Sequence, residues 1–289
     1  MQHRKLIALL AILLTALLIL TACGEEKKAK KKEEPDELSG SIKVVAQKGT
    51  AAVKVFKNMG ENYKIKTYKK IGDLRTAIKK GKYDAAVVSA GIAAEMYGRT
   101  KKGLYEVSPV TLDGVYIVAS GYSTQGFRPS WLVNKKVKCL NKNSTADQVC
   151  QKVMQDNGSG FSGVRVKYIN SYDAAKRAFA EWNAIVICTE PYASKLDKIS
   201  EVNKVYDLSE EYYACGHGQV PTDVLIVSKK MVKERPADID LMKDEYEAAL
   251  DAGIRSKAKL VFYNNTDRGI QLMRQYNKTM GNPMKYYEE

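Results

Sequence analysis

The sequence predicts an α/β protein built from two similar halves, and three observations support this fold class. Strand-like and helix-like segments alternate along residues 40–289, as they do in sheets that helices cover. A strand–loop–helix unit spans residues 137–157, and a second unit with the same order spans residues 42–60. The strand, helix and strand that follow each unit also match, at residues 164–187 and 63–88. Each half should therefore offer two loops at the carboxyl ends of strands, where open α/β sheets bind ligands.

The unit at residues 137–157 contains the clearest helix start in the chain. Ser144 or Thr145 suits the N-cap, and Asp147 fits a capping box with Ser144. Apolar residues then keep helical spacing: Ala146, Val149, Cys150, Val153 and Met154. Hydroxyls and free N–H groups at a positive helix end can bind the negative end of a small molecule. An ordinary turn between strand and helix is the alternative interpretation of this unit taken alone.

The N-terminal segment has the pattern of an export signal. Arg4 and Lys5 precede an apolar run at residues 6–20, which is too short for a comfortable membrane span. The sequence Leu-Thr-Ala-Cys-Gly at residues 20–24 resembles the lipobox of bacterial lipoproteins. This resemblance implies a lipoprotein signal peptide at residues 1–22, cleaved before Cys23, which would carry lipid such as palmitate. An uncleaved anchor helix is the alternative, and either one places the rest of the chain on the extracytoplasmic face of the cell membrane.

Residues 23–40 are predicted to be the lipidated cysteine followed by a flexible charged tether. Lys and Glu dominate this segment, and it has almost no apolar residue, so it cannot bury enough surface to fold. Most of the formal net charge of +14 lies in residues 41–289. A basic body suits an anionic ligand, an anionic envelope surface or nucleic acid. The sequence contains no nucleic-acid motif, and we expect no nucleic-acid partner.

Four cysteines remain after Cys23: Cys139, Cys150, Cys188 and Cys215. An even number outside the cytoplasm permits two disulfides, with three possible connectivities. Four small buried side chains with free thiols are the alternative, and the sequence leaves both open. Their spacing is not that of a zinc finger, and we expect no metal and no cofactor.

The chain is predicted to cross twice between two lobes. Pro109 and Gly114 interrupt regular secondary structure near residues 109–114 and indicate the first crossing there. The return is predicted near residues 219–223. Lobe 1 would comprise residues 41–111 and 221–289, and lobe 2 would comprise residues 112–220. Helices are expected at residues 229–233, 237–253 and 267–279, with Pro236 in a first helical turn.

Several segments in this order resemble the type-2 periplasmic-binding-protein fold. They are residues 48–50, 83–90, 108–112, 135–137, 143–147, 189–196 and 218–230. The particular likeness is to the substrate-binding lipoproteins of ABC transporters, in the group of taurine, sulfonate, nitrate and pyrimidine binders. The resemblance implies two lobes joined by two hinge crossovers, with a ligand cleft that closes between them. It also implies a monomer that works with permease and ATPase subunits and carries no catalytic site.

The resemblance implies a set of ligand-binding residues on four loops, the first crossing and the return: Lys48, Gly49, Thr50, Ser89, Ala90, Val110, Thr111, Ser144, Thr145, Glu190, Tyr192 and Thr222. Thr50 and Thr145 would offer hydroxyls to a ligand acceptor. Glu190 would bind a ligand amine or ring N–H, or only brace the loop before Pro191. Tyr192 would stack on the ligand or pack on its own helix. The expected ligand is a small polar organic solute, either anionic or a nitrogen heterocycle.

Two positions depart from the family pattern and leave the ligand open. Cys188 replaces a more usual proline or aliphatic residue, and Trp182 stands where a glycine-containing turn is common. A surface lipoprotein that binds an envelope or host polymer through its basic face is an alternative function. An enzyme on the same fold is a further alternative, with His217 and Cys215 as its nearest pair of reactive side chains.

Overall fold

The computed structural model describes residues 37–100, 104–180, 183–263 and 267–283. The described residues form one compact unit. The predicted signal peptide, Cys23, most of the charged tether and Trp182 lie outside the described residues. No helix within the described residues is long and apolar enough to cross a membrane.

The first sheet has six strands in the order β11-β4-β10-β3-β1-β2. Strands β1, β2 and β3 run parallel, whereas β10 is antiparallel to β3 and β4, and β11 is antiparallel to β4. Their bounds are β1 Ile42–Gln47, β2 Tyr63–Tyr68, β3 Ala85–Ser89, β4 Leu104–Leu112, β10 Pro221–Ser228 and β11 Lys259–Leu260. Every residue of β10 is buried, as expected for a central strand that other elements cover on both faces.

The second sheet has five strands in the order β7-β6-β8-β5-β9. Strand β6 runs parallel to β7 and β8, and β5 is antiparallel to β8 and β9. Their bounds are β5 Val115–Ser120, β6 Lys136–Leu140, β7 Arg165–Ile169, β8 Ile185–Thr189 and β9 Val202–Asp207. Both sheets thus contain three parallel strands followed by one antiparallel strand, so the internal repeat predicted from the sequence has a matching topology.

Ten helices of the described residues cover these sheets: α1 Val53–Asn58, α2 Ile71–Lys79, α3 Ala90–Arg99, α4 Thr145–Asp156, α5 Tyr172–Ala178, α6 Tyr192–Leu196, α7 Leu208–Ala214, α8 Lys229–Glu234, α9 Pro236–Asp251 and α10 Asp267–Met280. Short 3-10 turns lie at Pro129–Leu132 and Phe161–Gly163. The helices expected near residues 73, 145, 172, 229, 237 and 267 are present within a few residues. Helices α3 and α7, which follow Ser89 and Asp207, were not predicted from the sequence.

The chain passes between the sheets over two short stretches. Strand β4 ends at Leu112 and β5 begins at Val115, so only Asp113 and Gly114 join them. The return lies between α7 and β10. Asp113 holds both stretches together, because its carboxylate accepts hydrogen bonds from Val220 N at 3.0 Å and Gln219 Nε2 at 3.2 Å, and its carbonyl accepts one from the Thr222 hydroxyl at 2.6 Å.

The folded body begins before β1. Ser39 donates hydrogen bonds from N and Oγ to Asp238 at 3.0 and 2.6 Å. Arg235 pairs with Asp238 and donates to the Gly40 carbonyl at 2.6 Å. Ser39 and Gly40 are therefore attached to the start of α9.

One apolar core extends from one sheet to the other. It joins side chains of α3, such as Ile92 and Met96, to side chains of α4, such as Val149 and Val153. Met273 and Tyr276 of α10 belong to the same cluster. Two further clusters cover the outer faces of the first and second sheets. The two sheets are therefore in apolar contact through α3 and α4.

The four cysteines of the described residues are free thiols, which is the alternative without disulfides. Burial raises the pKa of Cys139, Cys150 and Cys188, and those three side chains are fully buried. Cys215 is only partly buried. Since a thiol reacts as its thiolate and only when reagents reach it, Cys215 should react far faster than the other three.

We therefore expect a thiol reagent to label Cys215 within minutes in the native protein, and Cys139, Cys150 and Cys188 only after unfolding. Peptide mapping by mass spectrometry locates each label. Rapid native labelling of any of the three buried cysteines, or a disulfide-linked peptide, would contradict the packing described here.

Candidate functional site

The carboxyl ends of strands from both sheets meet around a small cavity. Gln47 ends β1, Ser89 ends β3 and Thr189 ends β8, while Asn141 and Ser144 follow β6. Together with one residue of β10, they line a cavity of about 30 Å³. The lining is completed by Thr50, Ile71, Leu74, Val87, Val88, Ile92, Leu140, Ala146, Glu190, Tyr192 and Asp223. A cavity of this size holds about two water molecules.

The predicted site residues divide into three groups in the structure. Five line the cavity, namely Thr50, Ser89, Ser144, Glu190 and Tyr192. Lys48 and Gly49 lie outside it, in a groove of about 590 Å³ that Thr50 and Tyr192 also line. Five are buried in the surrounding packing without lining the cavity: Ala90, Val110, Thr111, Thr145 and Thr222. The loops thus meet as expected, although fewer than half of the chosen side chains face the cavity.

Ser144 and Thr145 use their hydroxyls within the protein. Ser144 is the N-cap of α4, where its Oγ accepts from Asp147 N at 3.3 Å and donates to the Leu140 carbonyl at 2.9 Å. The capping box is displaced by one residue, because the Asp147 carboxylate accepts from Asn143 N at 2.9 Å. Thr145 donates to the Thr222 carbonyl at 3.0 Å and accepts from Gly91 N at 3.4 Å. The expectation that Thr145 offers its hydroxyl to a ligand does not fit this geometry.

Glu190 braces its loop, as one of the two sequence interpretations proposed. Its carboxylate accepts from Ser194 N at 3.1 Å and from Ser194 Oγ at 2.7 Å. Lys204 Nζ lies 3.2 Å from the same carboxylate. Glu190 is buried, and these three partners neutralise and hold its charge at the edge of the cavity. The Glu190 side chain therefore lines the cavity, but most of its hydrogen-bonding capacity is already used.

Tyr192 separates the cavity from the outer groove. Its hydroxyl donates to the Lys48 carbonyl at 2.6 Å and also hydrogen-bonds the Thr50 hydroxyl. Its ring stacks on Tyr172 with centroids 5.9 Å apart. Gly49 makes this approach possible, because it has φ 100° and a Cβ there would lie 2.8 Å from the Tyr192 ring. Tyr192 of α6 thus closes the cavity against the loop after β1.

We expect Tyr192→Phe to weaken this closure without unfolding the protein. The substitution removes the hydrogen bond to the Lys48 carbonyl, and a typical intramolecular hydrogen bond contributes about 0.5–1.5 kcal/mol. Scanning calorimetry should show a lower melting temperature than in wild type. Tyr213→Phe is the control, because Tyr213 is exposed; equal melting temperatures for all three proteins would contradict the assignment.

Direct hydrogen bonds join the two sides of the cavity. Asn141 Nδ2 donates to Gln47 Oε1 at 2.8 Å, and Ile71 N donates to the Asn170 carbonyl at 3.2 Å. Farther out, Arg75 donates to the Lys142 carbonyl at 2.6 Å, and Asn143 Nδ2 donates to Glu95 at 3.2 Å. Arg75 and Glu95 also form an ion pair at 2.7 Å. A ligand larger than the cavity can enter only if these contacts between the two sides open.

Sequence reasoning missed four polar residues that line the cavity: Gln47, Asn141, Thr189 and Asp223. Gln47 and Asn141 stand at the carboxyl ends of β1 and β6, so strand position alone could have indicated them. Asp223 follows Thr222 in the return crossing and is buried on β10. Burial raises the pKa of the Asp223 carboxyl group to about 6, although a hydrogen bond from Thr111 opposes this change.

His217 and Cys215 do not form a reactive pair. His217 Nε2 lies 2.6 Å from the Asp156 carboxylate, and the imidazole packs on Tyr212. Burial and the nearby Glu211 and Asp156 carboxylates raise the pKa of Cys215. This arrangement disfavours the thiolate that nucleophilic catalysis requires.

The fold is shared with solved structures of ABC-type substrate-binding proteins. The ligand-binding component of an ABC-type import system from Staphylococcus aureus, solved with zinc bound, matches with a TM-score of 0.62 at 11% identity, covering 84% of this chain and 94% of that one. The periplasmic aliphatic sulphonate-binding protein SsuA from Escherichia coli matches with a TM-score of 0.57 at 15% identity, covering 85% and 80%.

A third solved structure extends the likeness. The alkanesulfonate-binding protein SsuA from Xanthomonas axonopodis pv. citri, bound to MOPS, has a TM-score of 0.60 at 14% identity, covering 87% of this chain and 83% of that one. No protein-family model and no curated protein sequence matches this chain. The comparisons establish that the chain has the two-sheet α/β fold of type-2 periplasmic binding proteins.

Proposed function

We propose that this protein is the lipid-anchored solute-binding component of an ABC importer. The observation that carries the proposal is the cavity at which loops from the carboxyl ends of both sheets meet. Ligand sites of open α/β sheets lie at such strand ends, and the fold is the one found in ABC-type substrate-binding proteins. The solute would be a small polar organic molecule held between the sheets.

The two sheets would act as lobes that move about the crossings at Asp113–Gly114 and before Pro221. Lobe 1 would comprise residues 41–111 and 221–289, and lobe 2 would comprise residues 112–220. A solute that contacts both lobes only when they meet favours the closed population. The hydrogen bonds from Asn141 to Gln47 and from Tyr192 to Lys48 would form or break in this motion.

The N-terminal sequence supports the location that this function requires. Cleavage of residues 1–22 and lipid on Cys23 would anchor the protein to the extracytoplasmic face of the cell membrane. The charged segment that follows would let a monomeric body reach the permease, whose ATPase subunits drive import. We propose no catalytic role, since the solved structures that share this fold include ligand-binding components of ABC import systems.

A thermal-shift screen of the full-length protein in detergent tests this function. The panel would contain sulfonates, nitrate, pyrimidines, amino acids, amines and short dicarboxylates. A ligand at a hundredfold excess over its Kd stabilises the folded state by about 2.7 kcal/mol. We expect a saturable shift with one chemical class, reduced in Tyr192→Ala. Saturable shifts that Tyr192→Ala leaves unchanged would place binding elsewhere, and a panel without any shift would count against solute binding.

The outer groove favours a second candidate, a surface lipoprotein that binds an anionic polymer. The lysines that line this groove are Lys48, Lys54, Lys57, Lys69 and Lys195. Burial and the neighbouring Lys54 and Lys48 lower the pKa of Lys195, so positive charges crowd together there. Polymer binding of this kind weakens steeply with salt, whereas uptake of a solute into the cavity should not. Salt titration of binding therefore distinguishes the two candidates.

A further inference from the structure

Asn141 lines the cavity, and its amide has an unpaired acceptor. Gln47 Nε2 donates to the Asn170 carbonyl at 3.4 Å, so Gln47 turns its Oε1 toward Asn141 and accepts from Asn141 Nδ2 at 2.8 Å. This chain of bonds fixes the orientation of both amides. Asn141 Oδ1 then has no hydrogen-bond partner among the described residues, although Asn141 is only 6% exposed. Buried acceptors of this kind are normally paired.

Several other polar residues that line the cavity use their side chains for bonds within the protein. Ser144 donates its hydroxyl to the Leu140 carbonyl, and Tyr192 donates to the Lys48 carbonyl. The Glu190 carboxylate is held by Ser194 and Lys204. The Asp223 carboxyl group also lines the cavity and is bonded to Thr111. Besides the hydroxyls of Thr50, Ser89 and Thr189, the groups left for a ligand are the acceptor Asn141 Oδ1 and the Asp223 carboxyl group, and the latter supplies the charge.

We propose that the cavity binds a small protonated nitrogen compound, such as an amidinium or ammonium ion, which donates N–H bonds to Asn141 Oδ1 and Asp223. This inference rests on the proposed solute-binding function and narrows its substrate class. The remaining walls are largely apolar, including Ile71, Leu74 and Ile92, and would pack on a short hydrocarbon part. Anions such as sulfonates and nitrate would meet the Asn141 acceptor and the Asp223 carboxyl group, which disfavours them.

A protonated nitrogen compound fits this site better than a metal ion does. Hard metal cations take six or more oxygen ligands, whereas the cavity leaves two acceptor groups. Among the described residues, no group of three or more His, Cys, Asp or Glu side chains is arranged to hold a metal. The basic residues of the outer groove, Lys48 and Lys195, lie beyond Tyr192. They would not neutralise an anion inside the cavity.

Isosteric pairs of opposite charge test the proposal directly. Acetamidinium and acetate have the same shape, as do guanidinium and nitrate, so differences within a pair report charge and N–H donation. Isothermal titration calorimetry of the full-length protein in detergent at pH 7.5 should detect acetamidinium or guanidinium and neither anion. Asp223→Asn should weaken cation binding more than about tenfold, as expected for loss of a charged hydrogen bond.

Asp240→Asn is the matched control, because Asp240 is 65% exposed and its loss changes the net charge equally. This variant should leave cation binding unchanged.

Binding of an anion in preference to its cationic partner would overturn this inference, and the proposed solute-binding function would remain if that binding is lost in Tyr192→Ala. Cation binding that Asp223→Asn leaves unchanged would also overturn it. Failure of both cations to bind would overturn it as well, whereas failure of every compound in the wider solute panel would count against the proposed function itself.

Discussion

Gly91→Ala is expected to hold the two lobes apart while leaving each one folded. Gly91 lies in α3, and a Cβ there would lie 2.4 Å from the Asn143 carbonyl oxygen and 2.8 Å from Gln148 Oε1. Both atoms lie beside the second sheet, in the segment after β6 and in α4, and the carbonyl is backbone that a side-chain rotation cannot move. Alanine otherwise suits a helix interior better than glycine by about 1 kcal/mol. The steric conflict therefore acts on closure rather than on the helix.

Small-angle X-ray scattering should show a larger radius of gyration for Gly91→Ala than for wild type. Ligand affinity should fall by the same factor as the closed population. Gly98→Ala is the control in the same helix, because a Cβ at Gly98 has no atom within 4 Å. If Gly91→Ala and Gly98→Ala have the same radius of gyration and affinity, the contact between α3 and the loop before α4 does not control closure.

Asp223→Asn is expected to stabilise the protein at neutral pH while it removes ligand binding. The pKa of Asp223 rises from its ordinary value of 3.8 to about 6, chiefly through burial. Ionising this carboxyl group above pH 6 therefore costs the folded state about 3 kcal/mol relative to the unfolded chain. Asparagine fills the same space without a charge. A binding residue that destabilises the fold is a common feature of functional sites.

The contribution of Asp223 to the free energy of unfolding depends on pH. A raised pKa means that the folded state binds more protons between about pH 4 and 6, so the Asp223 contribution favours folding at low pH and is lost as pH rises through 6. The neighbouring titratable groups are the Glu190 carboxyl group, which lines the same cavity, and the Tyr192 and Tyr246 phenols, whose pKa values are raised chiefly by burial.

Urea unfolding of Asp223→Asn and wild type across pH 4–8 measures this contribution. The free energy of unfolding of the variant relative to wild type should increase with pH and level off above pH 6. If the difference in free energy of unfolding between the variant and wild type does not change with pH, the pKa of Asp223 is not raised, however large that difference is. Removal of the carboxylate should also abolish any increase of cation affinity between pH 5 and 7.

The sequence predicted the architecture because its repeat and periodicity are local signals. The units at residues 42–60 and 137–157 fold as β1–α1 and β6–α4, and Ser144 caps its helix as expected. The sequence alone could not predict α7, which is short and begins directly after Asp207, a residue that also ends β9. The division into lobes and the lipid anchor stay predictions.

The site was predicted less well because loop sequence does not reveal which partner a polar side chain bonds. Thr145 and Thr222 looked suitable for ligand binding, yet they bond each other across the two sheets. Asn141 and Asp223 were passed over, although both line the cavity. Their importance follows from burial and from the orientation of Gln47, which are properties of the assembled fold.

Native mass spectrometry of the full-length protein, released gently from detergent, tests the central claim that a solute binds between the sheets. The wild type, incubated with the solute panel, should carry one noncovalent small-molecule mass at saturable occupancy. That mass should persist in Gly98→Ala and Asp240→Asn, and it should be lost in Gly91→Ala and Asp223→Asn. A wild type that carries no added mass, or variants Gly91→Ala and Asp223→Asn that retain it fully, would contradict the account.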